Sequence, residues 1–213
     1  MNLLDIRKKI TSEEFDYLTL TDIFKNYSNP KMKISEMLKK QYIIRVKKGL
    51  YIFNEKYRNH PYSKELLANL IYGPSIVSAE YMLSYYGIIP EKVLDMTCST
   101  IKRNKDFITP IGTFSYMQVP QDYYSNGITI IKNEYVSFLA ATKERALADK
   151  IKNDTMNILN NYNDVENYLF NDLRVDEDMF FCMDAKILES LAVYGKSRKI
   201  NMCMKFLKRG QRQ

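Results

Sequence analysis

The chain has 213 residues, 46% hydrophobic and 27% charged, with only 7 Gly and 6 Pro, so it folds around one core or two small ones and is not a low-complexity chain. Its 32 Lys and Arg against 25 Asp and Glu leave a net charge of +7, which suits a polyanionic partner but says nothing about fold. Cys98, Cys182 and Cys203 are three in number and widely spaced, so they support neither a disulfide framework nor a thiolate zinc site and fit a reducing cytoplasm.

In chain order, Met1 to Lys9 meets charge within one turn and lacks the apolar stretch of a signal peptide. Nowhere do about 18 apolar residues run together, so neither export nor a membrane span is expected. Residues 1 to about 53 read as three short helices and a hairpin. Leu3, Leu4, Ile6 and Ile10 begin the first helical pattern; Phe15, Leu18 and Leu20 lead to a second, for which Thr21 is the candidate N-cap. Asn26 to Pro30 breaks that pattern, and Pro30 opens a third helix to Lys40, with Met32 or Ile34 joining Met37 and Leu38 in an apolar stripe. Two β-rich runs, Tyr42 to Val46 and Leu50 to Phe53, flank Lys47-Lys48-Gly49, where Gly49 supplies the positive φ of a hairpin turn.

The polar stretch from Asn54 to Ser63 interrupts both periodicities and marks a boundary, giving domains at 1–57 and 63–213. His60, the one histidine, lies in this stretch and reads as a solvent-exposed loop residue, which leaves paired-histidine zinc sites and Ser-His chemistry without support. Ser63 caps a helix through Ile71, Gly73-Pro74 stops it, and Ser78 to Tyr86 forms another helix ended by Gly87. Strand patterns follow at 93–100, 106–109, 112–119, 128–131 and 136–139, then helix from Thr142 to about Leu159 and further helices to about Leu207. The fold class is α+β: an N-terminal winged helix-turn-helix followed by a mixed α/β domain.

Residues 1 to 60 hold thirteen Lys and Arg against seven Asp and Glu, so nearly all the excess charge sits in about a quarter of the chain. A helix, a tight turn, a basic helix and a basic hairpin are the parts of a winged helix-turn-helix. Lys31, Lys33 and Ser35 fall in the first turns of the third helix, where base edges are read; Lys39, Lys40, Arg45, Lys47 and Lys48 suit phosphates.

Four stretches, in order, resemble the AbiEi-type antitoxins of type IV toxin-antitoxin systems. They are Leu38 to Tyr51, Ser78 to Pro90, Gly112 to Tyr116 and Ala140 to Lys150, the last with Arg145 where the family carries Lys. The resemblance covers about residues 38 to 150. It implies a DNA-binding autorepressor that recognises a promoter inverted repeat, pairing on DNA as a dimer or as two monomers. It also implies a genetically linked nucleotidyltransferase toxin that the chain neutralises without necessarily touching it. The other reading is an RNA- or protein-binding interaction module whose winged helix does not bind DNA.

In the second domain Lys102, Arg103, Arg145 and Lys150 are the candidate antitoxin surface, with Arg145 and Asp149 spaced for an exposed (i, i+4) pair. Asp176-Glu177-Asp178 lacks the Gly-Ser turn and spaced aspartates of a nucleotidyltransferase and reads as a helix-start acid cluster. With no phosphate-binding Gly-rich loop either, no catalytic residue, metal or cofactor is expected, and the chain is not expected to be an enzyme.

Overall fold

The computed structural model describes residues 3 to 212, so Met1 and Asn2 of the N-terminal stretch lie outside it. The chain is α+β. Its N-terminal unit runs α1 (Leu3–Lys9), β1 (Glu14–Asp16), α2 (Tyr17–Ile23), α3 (Pro30–Lys39), β2 (Ile43–Lys47) and β3 (Leu50–Phe53). The strands pair antiparallel in the order β1-β3-β2. At three residues, β1 is too short to show an alternation in the sequence. Its end also corrects the cap of α2: Asp16 Oδ1 accepts from Thr19 N at 2.8 Å, while Thr21 lies inside the helix. Asn29 caps α3, and of the two candidates for its apolar stripe Ile34 enters the core while Met32 is 63% exposed.

Gly49 has φ +86° in the hairpin turn. The register pairs Arg45 with Tyr51 and Lys47 with Leu50, which leaves Val46 as an extra residue, a β-bulge. One face of the sheet, with Phe15, Ile43, Tyr51 and Phe53, closes over Ile6, Leu20, Phe24, Ile34 and Met37. On the other, Val46, Leu50 and Ile52 belong to the core of the rest of the chain. Every residue of β3 is therefore buried, and the two units meet across the sheet.

The stretch between them is held, not free. Glu13, fully buried, accepts from Asn59 N at 2.9 Å, His60 N at 3.3 Å and the Arg7 guanidinium. Glu14 accepts from Ser63 N, and burial pushes its pKa above the ordinary carboxylate range despite that bond. His60 is not a solvent-exposed residue: its ring stacks on Tyr135 with centroids 4.1 Å apart, and Nε2 lies 3.7 Å from Glu13 Oε1. Polar composition marks a turn here, but two buried carboxylates recruit its backbone N–H groups.

The second unit begins with α4 (Lys64–Ile71), capped by Ser63 Oγ accepting from Leu66 N at 3.1 Å. There follow β4 (Ser75–Val77), α5 (Ala79–Tyr85), β5 (Met96–Thr100), β6 (Lys105–Thr109), β7 (Gly112–Gln118), α6 (Gln121–Tyr124), β8 (Ile128–Lys132) and β9 (Ser137–Ala141). The sheet order is β6-β7-β5-β4-β9-β8, parallel at β5/β7 and β4/β9 and antiparallel elsewhere. β4, at its centre, is another three-residue strand that the adjoining helix patterns hide. The chain then continues through α7 (Lys143–Asn153), α8 (Tyr162–Glu166) with a π-helical extension Asn167–Asp172, α9 (Glu177–Phe181), α10 (Ala185–Tyr194) and α11 (Arg198–Gly210). Asp176 is the N-cap of α9. Among the described residues no helix is long and apolar enough to cross a membrane.

α7 is the inner helix of this unit, with Glu144 to Asp149 all buried. Arg145 is thus no surface residue. It is fully buried, its Nε donates to Asp149 Oδ1 at 2.9 Å, and one Nη donates to the carbonyls of Tyr123 (2.8 Å), Tyr124 (3.2 Å) and Asn126 (2.6 Å). Asp149 also accepts from Ser78 Oγ and Ser99 Oγ, each at 2.6 Å, and from Tyr123 Oη at 2.8 Å. Gly127, at φ +66°, lets the backbone approach, since a Cβ there would lie 2.7 Å from Arg145 Cβ. The (i, i+4) spacing is present, but it serves the interior rather than a solvated face.

Arg145→Met and Asp149→Asn should each lower unfolding free energy by about 3–5 kcal/mol, because each strands a buried group. Removing both charges together should cost less than the sum of the two. Urea unfolding measures this, and single-variant losses under about 1 kcal/mol would contradict the arrangement.

Candidate nucleic-acid interface

The bulge sorts the basic residues of the hairpin. In an unbroken strand Arg45 and Lys47 would share a face. With Val46 inserted, Arg45 stays beside Tyr51, and Lys47 turns with Leu50 toward the second unit. There its ammonium donates to the Ile71 carbonyl and lies 5.5 Å from the Phe107 ring centroid. Burial lowers the Lys47 pKa, and Lys105 and Lys102 press in the same direction. The expectation that Lys47 contacts phosphate from the hairpin is therefore corrected: it faces inward.

What remains on the outer side is a groove of about 590 Å³ between α3 and the hairpin. Lys31 and Ser35 line it from the helix, Arg45 and Lys48 from the hairpin, over a floor that includes Ile34, Leu38, Tyr17 and Tyr51. Tyr17 N donates to Gly49 O at 2.9 Å, tying the hairpin tip to the start of α2. Among the described residues Lys31, Arg45 and Lys48 have no ion-pair partner. Three cations and a hydroxyl thus converge on one concave face, a donor set for phosphate oxygens and base edges. Tyr17 and Tyr51 are not legible in the sequence as part of the floor of this groove, because neither belongs to a basic run.

Lys33 and Lys40 lie on another side of α3. Both bond Glu36, at 3.0 and 2.8 Å, and with Leu3, Ile6, Met37 and Tyr42 they line a separate cavity of about 240 Å³. Lys39 is exposed in the last turn of α3. The eight residues expected to bind DNA therefore divide: Lys31, Ser35, Arg45 and Lys48 come together, Lys33 and Lys40 are paired with a carboxylate, Lys39 is exposed outside the groove, and Lys47 is turned away.

The four candidates in the second unit do not form one surface. Arg145 is in the core, and Lys150 bonds Glu80 Oε1 at 2.9 Å. Lys102 and Arg103 are exposed after β5, where Lys102 donates to the Gly73 carbonyl. Lys102 and Lys105 flank the Tyr72 ring at 5.1 and 5.8 Å, and Lys105 lies 5.0 Å from Phe107. Lys105, which no sequence pattern singles out, thus joins Lys47 and Lys102 in a basic cluster.

The chain matches no protein-family model, and no curated protein matches it either.

The Lys40 and Lys33 ammonium groups hold the Glu36 carboxyl down at about 2, against an ordinary 4.5. A depressed carboxylate contributes fully above its unfolded value and loses that contribution as pH falls toward the folded one. The helix support from Glu36 should therefore fade between about pH 4.5 and 2, and added salt should narrow the shift because the groups are exposed. Carboxyl-carbon NMR titration tests this; a midpoint near 4.5 at low salt would refute it.

Proposed function

We propose that the protein binds duplex DNA through the α3–hairpin groove and represses transcription by occupying its own promoter. The convergence of Lys31, Ser35, Arg45 and Lys48 on that groove carries the reading. The element order helix-strand-helix-helix-strand-strand, with sheet order β1-β3-β2, supports a winged helix-turn-helix in which α3 is the recognition helix and β2–β3 the wing. In this arrangement the amino-terminal part of α3 enters the major groove, with Lys31 and Ser35 nearest base edges, while Arg45 and Lys48 hold flanking phosphates. Repression needs occupancy and no catalysis. The protein works in the cytoplasm, with two copies meeting on an inverted repeat. The pairing with a nucleotidyltransferase-like toxin, neutralised without obligatory contact, rests on the likeness to AbiEi-type antitoxins.

Gel-shift titration of the full chain on its own upstream DNA, at several salt concentrations, tests the reading. Lys31→Ala, Arg45→Ala and Lys48→Ala should each weaken binding and reduce the log–log salt slope by about 0.9 for each phosphate that is no longer neutralised. Lys47→Ala should leave the slope unaltered, because its ammonium is engaged by the Ile71 carbonyl. A triple groove variant with the wild-type slope would overturn the assignment of the groove.

A further inference from the structure

The six-stranded sheet of the second unit ends in β6 on one side and β8 on the other. β6 opens with Lys105 and Asp106, both exposed, and charge on an edge strand discourages a further strand from adding to it. β8 reads Ile128-Thr129-Ile130-Ile131-Lys132, with no charge before its last residue and neither Pro nor Gly. It has none of the usual protections of an edge.

Bonds at the two ends of the β8–β9 ladder fix which groups of β8 are already used. Gly127 O accepts from Thr142 N at 2.9 Å, and Asn133 N donates to Val136 O at 3.0 Å. The register between them is unbroken, so the odd-numbered residues face β9, and the N–H and C=O groups of Ile128, Ile130 and Lys132 point away from it. Among the described residues these outward groups meet no hydrogen-bond partner. Ile130 is 68% exposed, and its cross-strand neighbour Leu139 is also exposed, so apolar surface runs out to the open edge. Both ends of the strand are held: an Arg145 Nη donates to Asn126 O before it, and Tyr135 stacks on His60 after it. An edge fixed in this way needs little ordering on association.

A second copy of the chain fits these requirements. If two β8 strands run antiparallel about a two-fold axis at Ile130, Ile130 lies opposite Ile130 and Ile128 opposite Lys132. Every outward N–H and C=O then meets an outward group, and each such pair exchanges two bonds. The two Lys132 side chains stand at opposite ends, each toward the end of the other strand that α6, with the exposed Asp122, leads into. A parallel in-register pairing instead sets lysine beside lysine, which is unfavourable. Charge also favours this part of the surface. From Pro110 to Thr142 the one cation, Lys132, stands against Asp122 and Glu134, in a chain of net charge +7, so two copies meet here away from their basic segments. We propose that β8 pairs antiparallel with β8 of a second copy, centred on Ile130, to make a dimer with one continuous sheet. This goes beyond the duplex-DNA reading and does not rest on it, although a two-fold dimer has the symmetry of an inverted repeat.

Sedimentation velocity of the full chain without DNA, at about 1 to 200 µM, tests the dimer. Ile130→Lys, which sets two ammonium groups on the axis, should weaken dimerisation at least about tenfold. Ile108→Lys on the β6 edge should leave it unchanged. Both positions are exposed, so both variants should keep the wild-type urea midpoint. Mild oxidation tests the register in a Cys182→Ser background, whose remaining Cys98 and Cys203 are buried. Ile130→Cys should cross-link to itself. Ile128→Cys should not, its two copies being about 14 Å apart, but should cross-link when mixed with Lys132→Cys. A chain that stays monomeric throughout, wild-type dimerisation by Ile130→Lys, or equal loss in Ile108→Lys would overturn the inference. So would self-cross-linking of Ile128→Cys as efficient as that of Ile130→Cys. A monomer that still binds its upstream duplex would leave the groove reading standing, and a dimer that does not bind it would leave this one.

Discussion

A carboxylate shut off from the surface organises the second unit. Asp149 is fully buried and accepts from Arg145, Tyr123, Ser78 and Ser99, so its charge is matched by one cation and its lone pairs by three hydroxyls. Those partners come from α7, α6, the residue before α5, and β5. Arg145 extends the set to the carbonyls of Tyr123 and Tyr124 at the end of α6 and of Asn126 just beyond it, which fixes the approach to β8. A buried pair of this kind is not the most stabilising way to fill a core, but its directional bonds restrict how helix and sheet can be arranged. Burial and the neighbouring Asp149 push the Tyr123 pKa far above its ordinary value, so the hydroxyl remains a donor.

A second constraint joins this unit to the N-terminal one. β3 contributes alternate residues to two cores, Tyr51 and Phe53 to one and Leu50 and Ile52 to the other. The hairpin that forms one wall of the basic groove is thereby seated on the second unit, and Lys47 bonded to Ile71 O adds a polar fastening. Arg7, Glu13, Glu14, His60 and Tyr135 form a further link between the units. The orientation of Arg45 and Lys48 toward Lys31 and Ser35 is consequently a property of the whole chain, not of the basic segment alone.

Much of this is readable from local pattern. The α+β class, the Ser63 cap, the turn at Gly49 and the later strand positions follow from alternation, helical spacing and turn chemistry, all short-range properties. β1 and β4 are not readable, since three residues cannot establish a period. The inward turn of Lys47 depends on how β2 pairs with β3, and a bulge leaves no mark in one strand's sequence. Arg145 misleads for another reason: a charged residue four positions before an aspartate ordinarily signals a solvated face, and only tertiary packing shows that both are inside. The pairing of Glu36 with Lys33 and Lys40 is implicit in (i, i+3) and (i, i+4) spacing, yet the net basicity of the segment obscures it.

The double-sided burial of β3 bears on how such a chain can be shuffled or dissected. A cut at the polar stretch after residue 57 follows the composition but not the packing, because it carries Val46, Leu50 and Ile52 away with their apolar side uncovered. An isolated amino-terminal fragment would expose a contiguous oily strip and invite self-association. The reverse fragment would lose part of its own interior. Recombination that transplants the basic hairpin onto a foreign effector must therefore bring a matching lid, so this architecture is less portable than its bead-on-a-string appearance in sequence suggests.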